Sequence, residues 1–144
     1  MEEKVGIDTN IFIEIFESSE NLNKIRGNGA IIYMHKKCLW EMVKFIKTLN
    51  LKDSNSEGIV ARFMERNQIK FINPEISKEE INNFEEKCKQ KGINCHYPDS
   101  EFILAFQKEG IKTIYTKDAG FRKAAQYLGM NVPWSAILNL TAKF

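Results

Sequence analysis

The stretch Val5-Gly-Ile-Asp-Thr-Asn-Ile-Phe12 joins a short apolar segment that ends in an acid to the start of a second apolar pattern. Residues 4–8 predict a strand. At helical spacing after it come Ile11, Phe12, Ile15 and Phe16. This spacing predicts a helix. Because Thr9 or Asn10 is available to cap that helix, we expect Asp8 to be left free at the carboxyl end of the strand.

Outward from this stretch, strand patterns alternate with helix patterns. Further strands are predicted at 30–34, 69–72, 112–116 and 131–132, and further helices at 37–50, 59–67, 77–91, 98–109 and 118–128. The polar stretch 52–58 is expected to be a loop. Strands that alternate with helices favour an α/β fold with helices layered around a mostly parallel sheet. We expect residues 1–144 to form a single domain, because this length suits one core but not two.

The composition excludes several classes of protein. The chain has 43% hydrophobic and 28% charged residues, and no apolar run reaches the roughly 18 residues that span a bilayer. Its acidic first residues resemble no signal peptide, and its three cysteines lack the spacing of a zinc or disulfide framework. We therefore expect a cytoplasmic protein without a membrane partner. The net charge of +2 is too small to indicate nucleic-acid binding by itself.

The acids are distributed unevenly in both type and position. Of 19 acids only four are aspartates, and three of these, Asp8, Asp99 and Asp118, stand at predicted strand ends or helix starts. Helix capping accounts for such positions as readily as function does. In open parallel sheets, however, active sites gather at the carboxyl ends of the strands, which is where Asp8 and Asp118 would meet. Glu41, by its helical position alone, is a surface residue.

Carboxylates that converge at one sheet edge require a counter-charge, because several of them cannot stay ionised side by side. Hard divalent cations such as Mg²⁺ or Mn²⁺ supply it, and an open site of this kind suits metal-assisted phosphoryl chemistry. The sequence shows no glycine-rich phosphate loop and no credible nucleophile beside either histidine. The pattern therefore predicts a metal site built from carboxylate oxygens.

Four motifs, in this order and spacing, resemble the PIN-domain nucleases over nearly the whole chain. They are Val5-Gly-Ile-Asp-Thr-Asn-Ile-Phe12, the helix that carries Glu41, Asp99-Ser-Glu-Phe-Ile-Leu-Ala-Phe-Gln-Lys-Glu-Gly110 and Ile114-Tyr-Thr-Lys-Asp-Ala-Gly-Phe121. The chain is most similar to the small single-domain members, of which the VapC toxins of toxin–antitoxin pairs are the best known. The segment before Glu41 lacks the small hydroxyl residue that many toxin members carry there.

The resemblance implies a three-layer α/β/α sandwich and an acidic pocket for one or two Mg²⁺ or Mn²⁺ ions. It implies catalytic and metal-ligating roles for Asp8, Glu41, Asp99 and Asp118, with Asn10 and Thr116 as supporting polar groups. The implied activity is endoribonucleolytic: metal-activated water hydrolyses RNA and leaves a 5′-phosphate and a 3′-hydroxyl. The implied partners are RNA and, for a toxin, a small antitoxin protein. Apolar residues such as Trp40 could also serve a homodimer.

Basic residues near these motifs are candidates for contact with the RNA backbone, and they are Lys37, Lys44, Lys117 and Arg122. Two other functions stay open. One is a catalytically weak PIN-fold module that binds RNA or protein. The other is a phosphoryl-transfer domain with Asp8 or Asp118 as nucleophile, which is disfavoured because no second acid stands beside either residue at its strand end.

Overall fold

The structure, a computed structural model, describes residues 3–27, 29–51 and 55–133. In chain order its elements are β1 (Lys4–Ile7), α1 (Thr9–Glu17), α2 (Ser19–Arg26), β2 (Ile31–His35), a 3-10 turn (Lys36–Cys38), α3 (Leu39–Thr48), α4 (Ser56–Arg66), β3 (Ile69–Ile72), α5 (Lys78–Gln90), α6 (Asp99–Lys108), β4 (Thr113–Tyr115) and α7 (Ala119–Tyr127). Among these described helices, none combines the length and apolar character needed to cross a membrane.

The four strands form one parallel sheet in the order β3-β2-β1-β4. β1 lies inside the sheet and pairs with β2 on one side and β4 on the other. The strand predicted at 131–132 contributes only a single parallel bridge between Thr113 and Asn131. With its helices, the sheet forms the α/β/α sandwich that was expected. Since the strands share one direction, their carboxyl ends lie at one edge.

The core fixes α6 tightly against the central strand β1. Val5 and Ile7 are buried, and Gly6 between them faces the ring of Phe106 on α6. A Cβ atom at Gly6 would lie 2.9 Å from Phe106 Cε1, closer than real side chains approach. The absence of a side chain at Gly6 therefore lets α6 pack closely on β1, which sets the position of Asp99 at the start of α6.

Two helix starts differ from the sequence prediction. α4 begins at Ser56, because Asn55 Oδ1 accepts a hydrogen bond of 3.0 Å from the Gly58 backbone. The predicted loop is therefore wrong over 56–58, while 52–54 lie outside the described residues. α2 was not predicted, and it begins where Ser18 accepts a hydrogen bond from the Asn21 backbone. In both cases a short polar side chain starts the helix, and the apolar residues that follow it do not mark this boundary.

The start of α5 agrees with the sequence prediction. Ser77 Oγ accepts a hydrogen bond of 3.1 Å from the Glu80 backbone, and Glu80 Oε1 accepts one of 3.4 Å from the Ser77 backbone. This reciprocal capping box satisfies two backbone donors that the helix itself leaves unpaired. The Ser-Lys-Glu-Glu sequence therefore predicted this boundary from local chemistry alone.

Candidate active site

Two of the predicted acids lie at neighbouring ends of the parallel sheet. Asp8 directly follows β1, and Asp118 comes three residues after β4 ends. The two strands pair in parallel, with Ile7 opposite Tyr115, so the chain leaves both strands at the same edge. The fold therefore brings to one edge two carboxylates that are 110 positions apart in the sequence.

Thr116 connects these two acids through its side chain. Its hydroxyl donates a hydrogen bond of 2.6 Å to Asp8 Oδ2, and its Oγ1 accepts one of 3.1 Å from the Asp118 backbone. The side chain is fully buried, so these bonds satisfy a hydroxyl that solvent does not reach. Thr116 thereby fixes one oxygen of Asp8 relative to the start of α7, and this contact suits the supporting role that the resemblance implies.

Asp8 itself caps α1. Its Oδ1 accepts a hydrogen bond of 3.1 Å from the Ile11 backbone. The expectation that Thr9 or Asn10 performs this capping is therefore wrong, because both residues already lie inside the helix and Asp8 has the extended backbone of an N-cap. Both oxygens of Asp8 thus accept hydrogen bonds from the protein, one from the Ile11 backbone and one from the Thr116 hydroxyl.

Asp118 combines a capping role with exposure to solvent. Its Oδ1 accepts a hydrogen bond of 2.8 Å from the Phe121 backbone at the start of α7. The side chain is otherwise exposed, and Oδ2 carries no hydrogen bond among the described residues. Asp118 therefore presents one carboxylate oxygen toward solvent while the other holds the helix in place.

Asp99 and Glu41 lie on two other helices near the same edge. Asp99 is the half-buried first residue of α6, and Glu41 is exposed in the first turn of α3. Burial raises the pKa of Asp99, and the negative charges of Asp118 and Glu41 raise it further. Since such effects fall with distance, the three carboxylates lie within electrostatic reach of one another.

The pKa of Asp8 departs strongly from its ordinary value. Burial raises its pKa from 3.8 to about 6, while the hydrogen bonds from Thr116 and Ile11 lower it and the charges of Asp99 and Asp118 raise it again. Burial dominates because two hydrogen bonds replace only part of the lost hydration. Keeping Asp8 ionised at neutral pH therefore costs free energy, and a cation placed beside it would remove that cost.

A pocket of about 490 Å³ has Asp99, Asp118, Tyr97 and His96 in its lining, whereas Asp8 and Glu41 do not line it. Within 3–27, 29–51 and 55–133, no three His, Cys, Asp or Glu side chains stand close enough together to hold one metal ion. The acids are therefore electrostatic neighbours rather than a closed ligand shell. Their donor atoms are all carboxylate oxygens, which Mg²⁺ and Mn²⁺ prefer, so the chemistry of this set fits such an ion.

Two of the lysines predicted to contact RNA form ion pairs. Lys37 Nζ lies 2.7 Å from Glu101 Oε1, and Lys117 Nζ lies 2.6 Å from Glu14 Oε1. Both lysines remain partly exposed, whereas both glutamates are buried. The pairs therefore hold two positive charges in defined positions, Lys37 in the turn before α3 and Lys117 beside Asp118.

Three other predicted residues lie at or near the surface. Asn10 is exposed in the first turn of α1, two residues after Asp8, and Lys44 is exposed on α3 one turn beyond Glu41. Arg122 is partly buried in the first turn of α7. The fold therefore places all three on elements that also carry a predicted acid or directly follow one.

Sequence patterns missed several buried polar residues. Glu14 is only 8% exposed and Glu101 only 5%. His35 is fully buried, its Nδ1 accepts a hydrogen bond from the Lys37 backbone at 3.1 Å, and its ring stacks on Phe102. Burial lowers the pKa of His35. One signal was available for Glu101, because it directly precedes the apolar run 102–106 and a charge there needs a partner.

Comparison with solved structures finds proteins of the same fold. The crystal structure of FitAcB from Neisseria gonorrhoeae matches with a TM-score of 0.59 and 16% identity, over 90% of this chain and 98% of that chain. The crystal structure of PAE2754 from Pyrobaculum aerophilum matches with a TM-score of 0.52 and 12% identity, over 99% of each chain. No protein-family model matches the sequence, and no curated protein matches it either. At these identities the likeness establishes the fold.

Proposed function

We propose that this chain, which has the PIN-domain fold, is a divalent-metal-dependent endoribonuclease. One observation carries the proposal: Asp8 and Asp118 are linked through the buried hydroxyl of Thr116 at the carboxyl edge of the sheet. Beside this link, burial and the charge of Asp99 raise the pKa of Asp8 to about 6. A fold that builds such a site from acids leaves it in need of a cation.

Asp8, Glu41, Asp99 and Asp118 are the residues that would hold Mg²⁺ or Mn²⁺. A bound ion of this kind activates water and stabilises the charge that develops on phosphate oxygens. These carboxylates come from four different elements, and a cation held among them would offset their mutual repulsion.

The protein's own residues orient the site. Thr116 and the Ile11 backbone hold both oxygens of Asp8, so this carboxylate has a single orientation. Asp99 and Asp118 line the 490 Å³ pocket, which gives the scissile phosphate a place beside the acids. Without a cation, the acids repel the RNA phosphates. The site is therefore expected to accept RNA productively only when metal is present.

The proposed substrate and partners follow from the resemblance. RNA is the polymer cleaved, and a small antitoxin protein is the proposed partner if the chain acts as a toxin of the VapC kind. A reading frame for a small protein beside the gene would support that role, and its absence from every genome that encodes this chain would argue for RNA processing instead. A homodimer stays a proposal as well, testable by light scattering of the purified protein.

The nuclease proposal is tested with purified protein and single-stranded RNA in Mn²⁺ or EDTA. Wild type should cleave in Mn²⁺ only, and Asp8→Asn should remove cleavage. The matched control is Asp53→Asn, which changes the one aspartate that the sequence did not assign to the site and should cleave as wild type does. Thermal unfolding with and without Mn²⁺ gives a second readout, because an ion that binds the folded state raises its melting temperature. Cleavage that survives both EDTA and Asp8→Asn would falsify the mechanism.

A second candidate function is a binding module that keeps the fold without efficient catalysis. The capping bonds favour it, since Asp8 and Asp118 each have a structural task at a helix start. This alternative predicts RNA binding that is unchanged by Asp99→Asn and no cleavage in Mn²⁺. The same two assays, binding and cleavage, therefore separate the two functions.

A further inference from the structure

A second pocket, of about 450 Å³, lies beside the carboxylate pocket and has no role in the mechanism above. Its apolar lining comes from Ile76 and Ile81 at the start of α5, and its polar lining includes Asn82 and Glu85. Tyr97 lines both pockets. The two pockets therefore adjoin at one aromatic side chain.

Tyr97 is held in position although it is largely exposed. Its side chain is 57% exposed, so the core does not require it. Lys37 Nζ donates a hydrogen bond of 3.3 Å to the Tyr97 hydroxyl and lies 5.5 Å from the centre of its ring. Lys37 is in turn held by Glu101 at 2.7 Å. The result is an oriented aromatic face at the surface with a positive charge beside it.

We propose that the second pocket, lined by Ile76, Ile81, Asn82, Glu85 and Tyr97, binds one nucleobase of the RNA whose backbone lies at the carboxylate pocket. Tyr97 is the ring on which that base stacks. Aromatic side chains beside a positive charge are the usual platform for single-stranded nucleic acid, because every base has a π face. This inference rests on the proposed function, since it requires RNA at the acids.

The position of the pocket favours a base of that same RNA. Tyr97 precedes Asp99 by two residues, so only Pro98 separates the stacking residue from an acid of the proposed cleavage site along the chain. Lys37 lies beside the ring and offers a charge to the phosphate next to the base. A nucleotide bound here would thus have its base at Tyr97 while its neighbouring phosphate lies at Asp99 and Asp118.

The polar rim favours a base over an apolar side chain of a protein partner. The Glu85 carboxylate is oriented by the fully buried Ser100, whose hydroxyl donates to Glu85 Oε2 at 2.5 Å. The Asn82 amide offers both a donor and an acceptor. A base edge carries donors and acceptors that can pair with these groups, whereas an apolar side chain would bury them unpaired.

Binding of a labelled single-stranded RNA of mixed sequence, measured by fluorescence anisotropy in Ca²⁺, tests the inference, because this hard cation neutralises the acids as Mn²⁺ would. A gel run in parallel verifies that the RNA stays intact. Tyr97→Ala should weaken binding about 5- to 150-fold, the range that loss of one base–aromatic stack produces. Tyr97→Phe keeps the ring and should stay within about threefold of wild type by the same argument. The matched control is Tyr127→Ala, which removes an exposed tyrosine on α7 and should bind as wild type does. Circular dichroism verifies that each variant is folded.

Abasic nucleotides placed one at a time along the RNA give the decisive result. In wild type, one abasic position should weaken binding, and in Tyr97→Ala that position should no longer matter. Tyr97→Ala that binds like wild type overturns the base pocket and leaves a protein partner as its occupant. RNA that wild type does not bind at all overturns it too.

Cleavage in Mn²⁺, measured in parallel, separates this inference from the proposed function. If wild type cleaves RNA but Tyr97→Ala binds and cleaves equally well, the base pocket fails and the nuclease stands. If wild type never cleaves but Tyr97→Ala and the abasic position still weaken binding together, the nuclease fails and the base pocket stands in a binding module.

Discussion

The molecule holds its buried carboxylates in two different ways. Glu14 and Glu101 are buried and each has a lysine, at 2.6 Å and 2.7 Å respectively. Asp8 at the sheet edge has hydrogen bonds from Thr116 and the Ile11 backbone but no cationic partner among the described residues. Burial raises its pKa to about 6, and the charges of two other acids, Asp99 and Asp118, act in the same direction. One kind of acid is neutralised by the fold, and the other is left charged without compensation.

This difference indicates that the unfavourable electrostatic interactions lie at the carboxyl edge of the sheet and not at the paired glutamates. The chain has 17 lysines, and two of them reach buried glutamates on the flanking helices. Helix capping needs only a short polar side chain, as at Ser18, Asn55 and Ser77. It does not account for three aspartates, Asp8, Asp99 and Asp118, within mutual electrostatic reach. Proteins keep such repulsion mainly at functional sites. The paired glutamates therefore serve as an internal reference for the acids that we propose to bind metal.

The largest expected effect is a loss of cleavage when a lysine is placed among the acids that have no cationic partner. Glu41→Lys changes an exposed residue, so it should fold, and it puts a positive charge near Asp99. The lysine would neutralise the acids at the sheet edge, as Lys117 and Lys37 neutralise the paired glutamates, and would compete with a metal ion. Cleavage in Mn²⁺ should fall about 100-fold or more. Glu57→Lys on α4, also an exposed glutamate, is the control, and equal cleavage by the two variants would remove Glu41 from the site.

The next effect concerns the hydroxyl that joins Asp8 to Asp118. Thr116→Val keeps the shape but removes both hydrogen bonds, so it should lower Mn²⁺ affinity about 10- to 100-fold. It should also lower the free energy of unfolding by about 1–3 kcal/mol, because a buried acceptor and a backbone donor lose their partner. Thr116→Ser keeps the hydroxyl and should therefore retain most of the Mn²⁺ affinity and most of the free energy of unfolding. Calorimetry with Mn²⁺ and urea denaturation measure these quantities, and an unchanged Mn²⁺ affinity in Thr116→Val would contradict the support role.

A smaller effect is the pH dependence of stability in EDTA. The pKa of Asp8 is about 6 in the folded protein against 3.8 in the unfolded chain, so the folded state holds the proton more tightly. The contribution of Asp8 to the free energy of unfolding is therefore largest below about pH 4 and falls as the pH rises to about 6. Asp8→Asn should remove that fall, measured by urea denaturation at a series of pH values.

His35 affects the pH dependence of stability in the opposite direction. The informative quantity is therefore the difference in the free energy of unfolding between wild type and Asp8→Asn at each pH. Because burial lowers the pKa of His35, its contribution to stability is lost as the pH falls below about 6.5. That loss is common to wild type and Asp8→Asn and cancels when one curve is subtracted from the other. A flat difference between pH 4 and 6 would show that Asp8 does not titrate abnormally.

The smallest effect is expected at a paired glutamate. Glu14→Gln removes the charge that faces Lys117, but Lys117 is about one-third exposed and can turn to water. We expect a loss of less than about 1 kcal/mol in the free energy of unfolding. Urea denaturation at pH 7 measures it, and Mn²⁺ should stabilise this variant as much as wild type. A loss of several kcal/mol would mean that the pair, not the sheet edge, is the more sensitive electrostatic feature.

Local patterns predicted most of the fold but not how its acids are used. The apolar segments gave all four strands, and the capping box gave the start of α5, because these depend on neighbouring residues. Ser18 starts a helix that was not predicted, and Asn55 starts α4 three residues before the predicted helix at 59–67. The sequence also assigned the cap of α1 to the wrong residue, since the distinction between Asp8 and Asn10 depends on where the strand ends, to within one residue.

By itself the sequence determined the layered α/β fold, the residues at the strand ends and, through the resemblance, the four acids to examine. Only the tertiary structure decided which acids have a cation and which do not. Lys37 meets Glu101 across 64 positions of the chain, Lys117 meets Glu14 across 103, and Thr116 meets Asp8 across 108. The physical reason is that charge compensation depends on distances in space, and the packing of helices on the sheet sets those distances.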